Sequence, residues 1–184
     1  MMQSVVTHTG RIGLAALAVM TLATGCSGAQ AGAGCTTHLT FTDVASNEQV
    51  VLTHAAAVSF VDGAAYTAFA SDQPVDASEI MLSTAPTPGE GATLASLFVT
   101  RFNATAEQVA PIPVGTVVSP NGGDGDLVFG VVVQRNNVNL GNSMDSSGTL
   151  TVHQVGETLC FDIDYKDTEK QMVGTLQSPS VALL

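Results

Sequence analysis

Apolar and polar residues alternate in short runs along most of this chain, and clusters of turn-forming residues separate the runs. In "ETLCFDIDY", strict alternation places Leu159, Phe161, Ile163 and Tyr165 on one face and Cys160, Asp162 and Asp164 on the other. "THLTFTDV" (37–44) sets Leu39 and Phe41 on one face, and "EQVVLTH" (48–54) predicts a second strand after the turn-like "ASN". "AAAVSFVDGAAYTAFAS" (55–71) holds two β-compatible runs around Asp62-Gly63, a pair favoured in type I′ hairpin turns. If those two residues form the turn, Phe60 opposes Ala65, Val58 opposes Thr67 and Ala56 opposes Phe69. That register predicts one core face, with Ser59 and Tyr66 on the other, bordered by alanines.

Further along, "SEIMLST" (78–84) reads as a strand and "APTPGEG" as a loop, from its Pro and Gly content. "ATLASLFVTRF" (92–102) carries two periodicities. "LFVTRF" has strand propensities, whereas Leu94, Leu97, Phe98 and Phe102 fall at helical spacing with Thr93 as a cap; the helical reading is preferred, giving one short helix near 92–103. "VAPIPVGTVVSP" (109–120) is extended, its prolines keeping it out of a central ladder until about Val114. "NGGDGD" (121–126) is a turn cluster, and "LVFGVVVQR" (127–135) suits a strand buried on both sides. After the polar loop "NNVNLGNSMDSS", "GTLTVHQ", "TLCFDIDY" and "QMVGTLQ" predict a three-strand meander. Short strands without alternating long helices indicate an all-β fold, an antiparallel β-sandwich or barrel-like body of about eight to ten strands.

The beginning of the chain follows another pattern. "MMQSVVTHTGR" ends in Arg11, and "IGLAALAVMTL" follows without a charge, the layout of a secretory signal whose apolar part is too short to cross about 30 Å of hydrocarbon. The sequel "LATGC" resembles the lipobox of bacterial lipoproteins, with small Ala23, Thr24 and Gly25 before Cys26. The resemblance implies diacylglycerol attachment at Cys26, cleavage before it and acylation of the new amino terminus. Two or three acyl chains make a lasting anchor, at about 0.8 kcal/mol per buried CH₂. Residues 1–25 are then a cleaved signal peptide, 26–35 a lipidated flexible tether, and 36–184 one β-domain. The expected location is the bacterial cell membrane or outer membrane, facing periplasm or exterior, with the membrane as partner through the anchor. Ser27 resembles an outer-membrane sorting signal.

With Cys26 lipidated, Cys35 and Cys160 remain, an even number in a compartment where disulfides persist. A Cys35–Cys160 bridge is predicted, closing a loop for which the chain-entropy model gives about 4.7 kcal/mol. A buried free thiol at Cys160 and pairing between molecules are the alternatives. The alternation sets Cys160 on the polar face or near a strand edge, within reach of an incoming N-terminal segment, and "SGAQAGAG" before Cys35 reads as a Gly-rich spacer.

Charge narrows the partners. All sixteen acidic residues follow Cys26, against only Arg101, Arg135, Lys166 and Lys170. Without a basic patch the chain is not expected to bind nucleic acid or anionic headgroups. A domain of this size buries about 70 % of its unfolded surface, so no cofactor is needed to stabilise it.

Asp124 and Asp126 in the glycine-rich turn are the metal candidates, for Ca²⁺; the turn is similar to the calcium nonapeptide of RTX proteins but occurs once, with Leu127 where an aspartate is expected. Asp162 and Asp164 could chelate a cation or act as an acid and base, and Asp167, Glu169, Lys166 and Lys170 read as a charged hairpin loop. His38, His54 and His153 lack close ligand spacing, and no G-x-S-x-G elbow is present. Tyr66 is the one aromatic candidate for sugar stacking. No catalytic residue is assigned. The expected function is a lipid-anchored, non-catalytic binding or structural component of the cell envelope, with an envelope protein or small ligand as partner. Alternatives are a small-ligand, carbohydrate or Ca²⁺ module using loops 85–92, 121–126 and 136–147, and an extracytoplasmic hydrolase with dispersed catalytic residues.

Overall fold

A computed structural model of the chain describes residues 35–60, 63–75, 80, 86, 88–103, 105, 109–122, 126–136, 138–141 and 145–182. Eleven strands are described: β1 (His38–Asp43), β2 (Gln49–Leu52), β3 (His54–Phe60), β4 (Ala65–Ser71), β5 (Thr93–Arg101), β6 (Val117–Val118), β7 (Leu127–Arg135), β8 (Val138–Leu140), β9 (Ser147–Gln154), β10 (Thr158–Lys166) and β11 (Lys170–Ala182). The fold is all-β, and the strands form a curled, half-barrel sheet in the order β6-β9-β10-β11-β3-β4-β5-β7-β8, with β1 added to β11 and β2 to β1.

β11 is the strand that joins the two halves. Its first part lies antiparallel between β10 and β1, and Ser180–Ala182 then runs parallel to Ala57–Ser59 of β3. Pro179 stands at the change of partner; the neighbouring Ser180 N–H donates to the Glu157 carbonyl, so Pro179 opposite Thr158 falls at a non-hydrogen-bonded position of the β10 ladder, where its missing N–H costs that ladder nothing. This parallel pair departs from the expected purely antiparallel sheet. A bridge between Ser119 and Val128 brings the β6 end against β7, so the two halves also meet there.

The curl encloses one large core. Leu39, Phe41, Phe129, Leu150, Phe161, Ile163, Tyr165 and Leu176 are all buried in it. Phe129 on β7 packs edge to face on Tyr165 of β10, with ring centroids 5.8 Å apart, although the two strands are not paired.

The expected helix near 92–103 is a strand instead. β5 lies between β4 and β7 along its length, and Thr93, Leu94, Ala95, Leu97 and Val99 are all buried. Both sides of the strand meet apolar residues, so its apolar positions need not alternate, and the helical spacing of its leucines is incidental. The loop expected over 136–147 contains β8, turned back on β7 so that Arg135 pairs with Val138; Asn136 takes φ 50°, a left-handed value that Asn tolerates. Most of the strand expected at 78–84 lies outside the described residues. Ile80, its described residue, has helical backbone and is buried.

The β3–β4 hairpin has the expected register: Ala56 faces Phe69, Val58 faces Thr67, and Phe60 faces Ala65. Its faces are exchanged relative to expectation. Tyr66, Ala57, Ala68 and Ala70 point into the large core, whereas Ala56, Val58 and Phe69 form a smaller cluster with Ile80 and Leu94, flanked by Phe60 and Val75.

Candidate functional site

Cys35 and Cys160 form a disulfide with Cα atoms 6.4 Å apart, within the usual range. Cys160 shares the Asp162 and Asp164 side of β10, as the alternation predicts, but the strand is interior, flanked by β9 and β11, and not an edge. The incoming arm reaches it across the sheet. Thr37 fastens that arm to β11: its hydroxyl donates to the Gln177 carbonyl (2.5 Å) and accepts from the Gln177 N–H (3.0 Å). Cys160 is buried, and at the same point the β9 register shifts, Cys160 facing Gln154 and Phe161 facing Val152, so that His153 is the extra residue of a bulge. Cys26 and the rest of the expected tether lie outside the described residues.

Across the outer face of this half, the ladders place His38, Thr175 and Asp162 side by side on β1, β11 and β10. The Thr175 hydroxyl donates to one Asp162 oxygen (2.7 Å), and the His153 Nε2 lies 2.7 Å from the other. The Thr175 hydroxyl, followed by His153, holds the Asp162 carboxyl below its ordinary value against the opposing effect of partial burial. Here the carboxylate sits between hydroxyl and imidazole. A nucleophile relay needs the imidazole to accept the hydroxyl proton, and this order does not provide that. Asp162 is thus engaged by a Thr and a His, and Asp164 shares its side of β10 as the alternation predicts.

The chain reversal from β10 to β11 carries a group that the charge pattern concealed. Lys166 and Glu169 are exposed, as expected of a charged hairpin loop, but the Asp167 and Lys170 side chains are both fully buried. Lys170 Nζ lies 2.7 Å from Asp167 Oδ2, donates also to the Gly141 carbonyl, and stands 5.5 Å from the centre of the Tyr165 ring. The Tyr165 hydroxyl donates to Asp167 Oδ2 (2.8 Å). Asp167 Oδ1 accepts the N–H groups of Glu169 and Lys170, each at 2.8 Å. Burial pushes the Asp167 carboxyl up, but Lys170, the Glu169 N–H, the Tyr165 hydroxyl and the Lys170 N–H together hold it below the ordinary carboxylate value. Nothing in the local sequence distinguishes this pair from a solvated one. Only the alternation that carries Tyr165 inward, continued two residues to Asp167, hints at it.

A second ion pair joins the two halves of the sheet. Arg135, at the end of β7, donates to Glu48, just before β2, and holds the Glu48 carboxyl below its ordinary value. The neighbouring Asp43 carboxylate caps the β1–β2 turn by accepting the N–H groups of Ala45 and Ser46.

The remaining candidates separate. Asp124 lies outside the described residues; Asp126 is exposed at the start of β7, its carbonyl accepting the Phe102 N–H. Among the described residues no group of three or more His, Cys, Asp or Glu converges as a metal would require. His38 and His54 are exposed and on different strands. Tyr66, considered for sugar stacking, is buried in the core against Phe161, and burial pushes its hydroxyl pKa up. Compared with known proteins, the chain matches no family model and has no significant match to a curated protein or a solved structure.

Proposed function

We propose that this chain is an exported, lipid-anchored component of the bacterial cell envelope, its folded part a non-catalytic binding or structural domain. In this reading the two halves of the curled sheet are the layers of a sandwich. The observation that carries it is the pairing of Cys35 with Cys160. It uses two of the three cysteines in a bond that persists outside the cytosol, and Cys26 is the one left over for the lipid. An extended segment from Cys26 to Cys35 spans at most about 30 Å, so the anchor would hold the body close to the membrane surface. The non-catalytic part is supported by the His153–Asp162–Thr175 order, in which the hydroxyl meets the carboxylate and not the imidazole.

Metabolic labelling with palmitate, applied to the full chain and to Cys26→Ala, tests the anchor. Label in the parent and none in the variant is expected; equal incorporation would refute the assignment.

A further inference from the structure

We propose that Lys170 and Asp167 are a self-modification site, at which the folded protein joins the lysine Nζ to the aspartate Cγ as an amide and releases one water. The inference is independent of the lipid anchor and rests on how the two groups are surrounded.

Three elements of an acyl transfer are in place. The prospective nucleophile, Lys170 Nζ, lies 2.7 Å from Asp167 Oδ2, and both side chains are fully buried. Fixing two reactants in contact replaces a bimolecular encounter by an internal step, and enclosure removes the competing solvent. Asp167 Oδ1 already accepts two backbone N–H groups, from Glu169 and Lys170, each at 2.8 Å. Those donors stand where negative charge would develop when an amine adds to Cγ, the arrangement that stabilises a tetrahedral intermediate. The departing oxygen, Oδ2, has its own proton donor in the Tyr165 hydroxyl at 2.8 Å.

The step balances. One proton passes from the Lys170 ammonium to Oδ2 along their 2.7 Å contact, converting the buried ion pair into a neutral amine and a neutral acid; burial favours that transfer, and the donors to the Asp167 carboxylate oppose it. The Nζ lone pair then adds to Cγ, and the C–O π electrons move to Oδ1, held by the two N–H groups. A second proton leaves Nζ and reaches Oδ2 through the Tyr165 hydroxyl, which gives one proton and takes another. The Cγ–Oδ2 bond breaks, Oδ2 departs as water, and Oδ1 becomes the amide carbonyl. No oxidant, reductant or further reactant is consumed. The product would close the β10–β11 reversal covalently beside the core.

The test is the mass of the full chain purified from its native compartment, followed by tryptic mapping. The expected result is a chain lighter by one water, with cleavage after Lys166, none after Lys170, and the loss confined to the peptide from Asp167 to Leu184. Lys170→Arg and Asp167→Ala should each restore the full mass, and Tyr165→Phe should slow the loss. A succinimide at Asp62-Gly63 or Asp124-Gly125 would also shed one water, but it opens in mild base and maps elsewhere. A loss confined to those positions overturns the proposal. So does a folded parent protein that keeps its full mass and is cut after Lys170, a result that requires no variant to fold.

Discussion

Phe161 on β10 meets Tyr66 on β4 edge to face, with ring centroids 6.2 Å apart and planes inclined at 63°, and so ties together strands that are not paired. Both rings are buried, and the residues packed beside Tyr66 on its own hairpin are the small Ala57, Ala68 and Ala70. Phe161→Ala would therefore leave a cavity between the two halves of the sheet. A loss of about 3–5 kcal/mol is expected in denaturant unfolding. Tyr66→Phe, which keeps the ring, should cost far less. A Phe161→Ala loss under about 1 kcal/mol would show that the two halves do not depend on this contact.

The disulfide should be the largest single covalent contribution to stability, because it closes a separation of 125 residues. Replacing both cysteines by alanine is expected to cost about 2–5 kcal/mol. The Thr37 contacts to Gln177 would remain to hold the arm on β11, so the native sheet should survive. Unfolding curves of the parent with and without reductant are the check, and coincident curves would contradict the assignment.

These two contacts mark what could be read from the sequence and what could not. The hairpin register and the β9–β10–β11 meander follow from local patterns, because alternation fixes which residues oppose one another once the turn is located, and the Cys35–Cys160 pairing follows from the cysteines that remain once Cys26 is assigned to lipid. Which face of the β3–β4 hairpin meets the main core does not follow. Its bulkier face, with Val58 and Phe69, is covered by Ile80 and Leu94, whereas aromatic rings from β7 and β10 fill the main core and leave space there for the alanine face. Periodicity records that both faces are apolar, not how much volume waits opposite each.

The same boundary explains β5, β8 and Lys170. The identity of β5 as a strand comes from the ladders that β4 and β7 supply, and those are non-local. β8 is only three residues long and has no apolar run to announce it. Lys170 is buried through a tertiary contact with Gly141 and through Tyr165, neither of which charge patterning can anticipate.

Where Asp167 and Lys170 stand as the charge pair, without the amide, removing one partner is costly because the other is left uncompensated. Asp167→Ala would leave the Lys170 ammonium with the Gly141 carbonyl and would take an acceptor from Tyr165. A loss of about 3–5 kcal/mol is expected. Adding Lys170→Met to that variant should recover part of it, since an apolar chain of similar length removes the stranded charge. Additive losses in the double variant, measured by denaturant unfolding, would mean that the two groups are not coupled.

Gly174 is a backbone requirement. Its φ is 137°, and a Cβ there would lie 2.1 Å from the His38 carbonyl oxygen on the paired β1, an obstruction no rotamer can relieve. Gly174→Ala should destabilise by about 2 kcal/mol or more. The β1–β11 ladder would be the first to yield, seen as faster amide exchange at Leu39 and Phe41 relative to β4 and β5. Unchanged exchange there would sink the argument.

The outer face offers a test by titration. The Asp162 carboxyl is held below its ordinary value chiefly by the Thr175 hydroxyl, with His153 secondary. A carboxyl depressed in the folded state contributes stability that is complete above its ordinary value and is lost as pH falls through the folded one. The pair is about half exposed, with side-chain accessibilities of 47 % for His153 and 54 % for Asp162, so solvent screens the interaction and the effect on global stability should be small. The titration itself reports the contacts directly. In NMR titrations of the side-chain carboxyl carbon, Thr175→Val should raise the Asp162 pKa further toward the ordinary value than His153→Ala does. The reverse order would make the imidazole the dominant partner, and the hydroxyl contact across β10 and β11 would then not govern the ionisation of this residue.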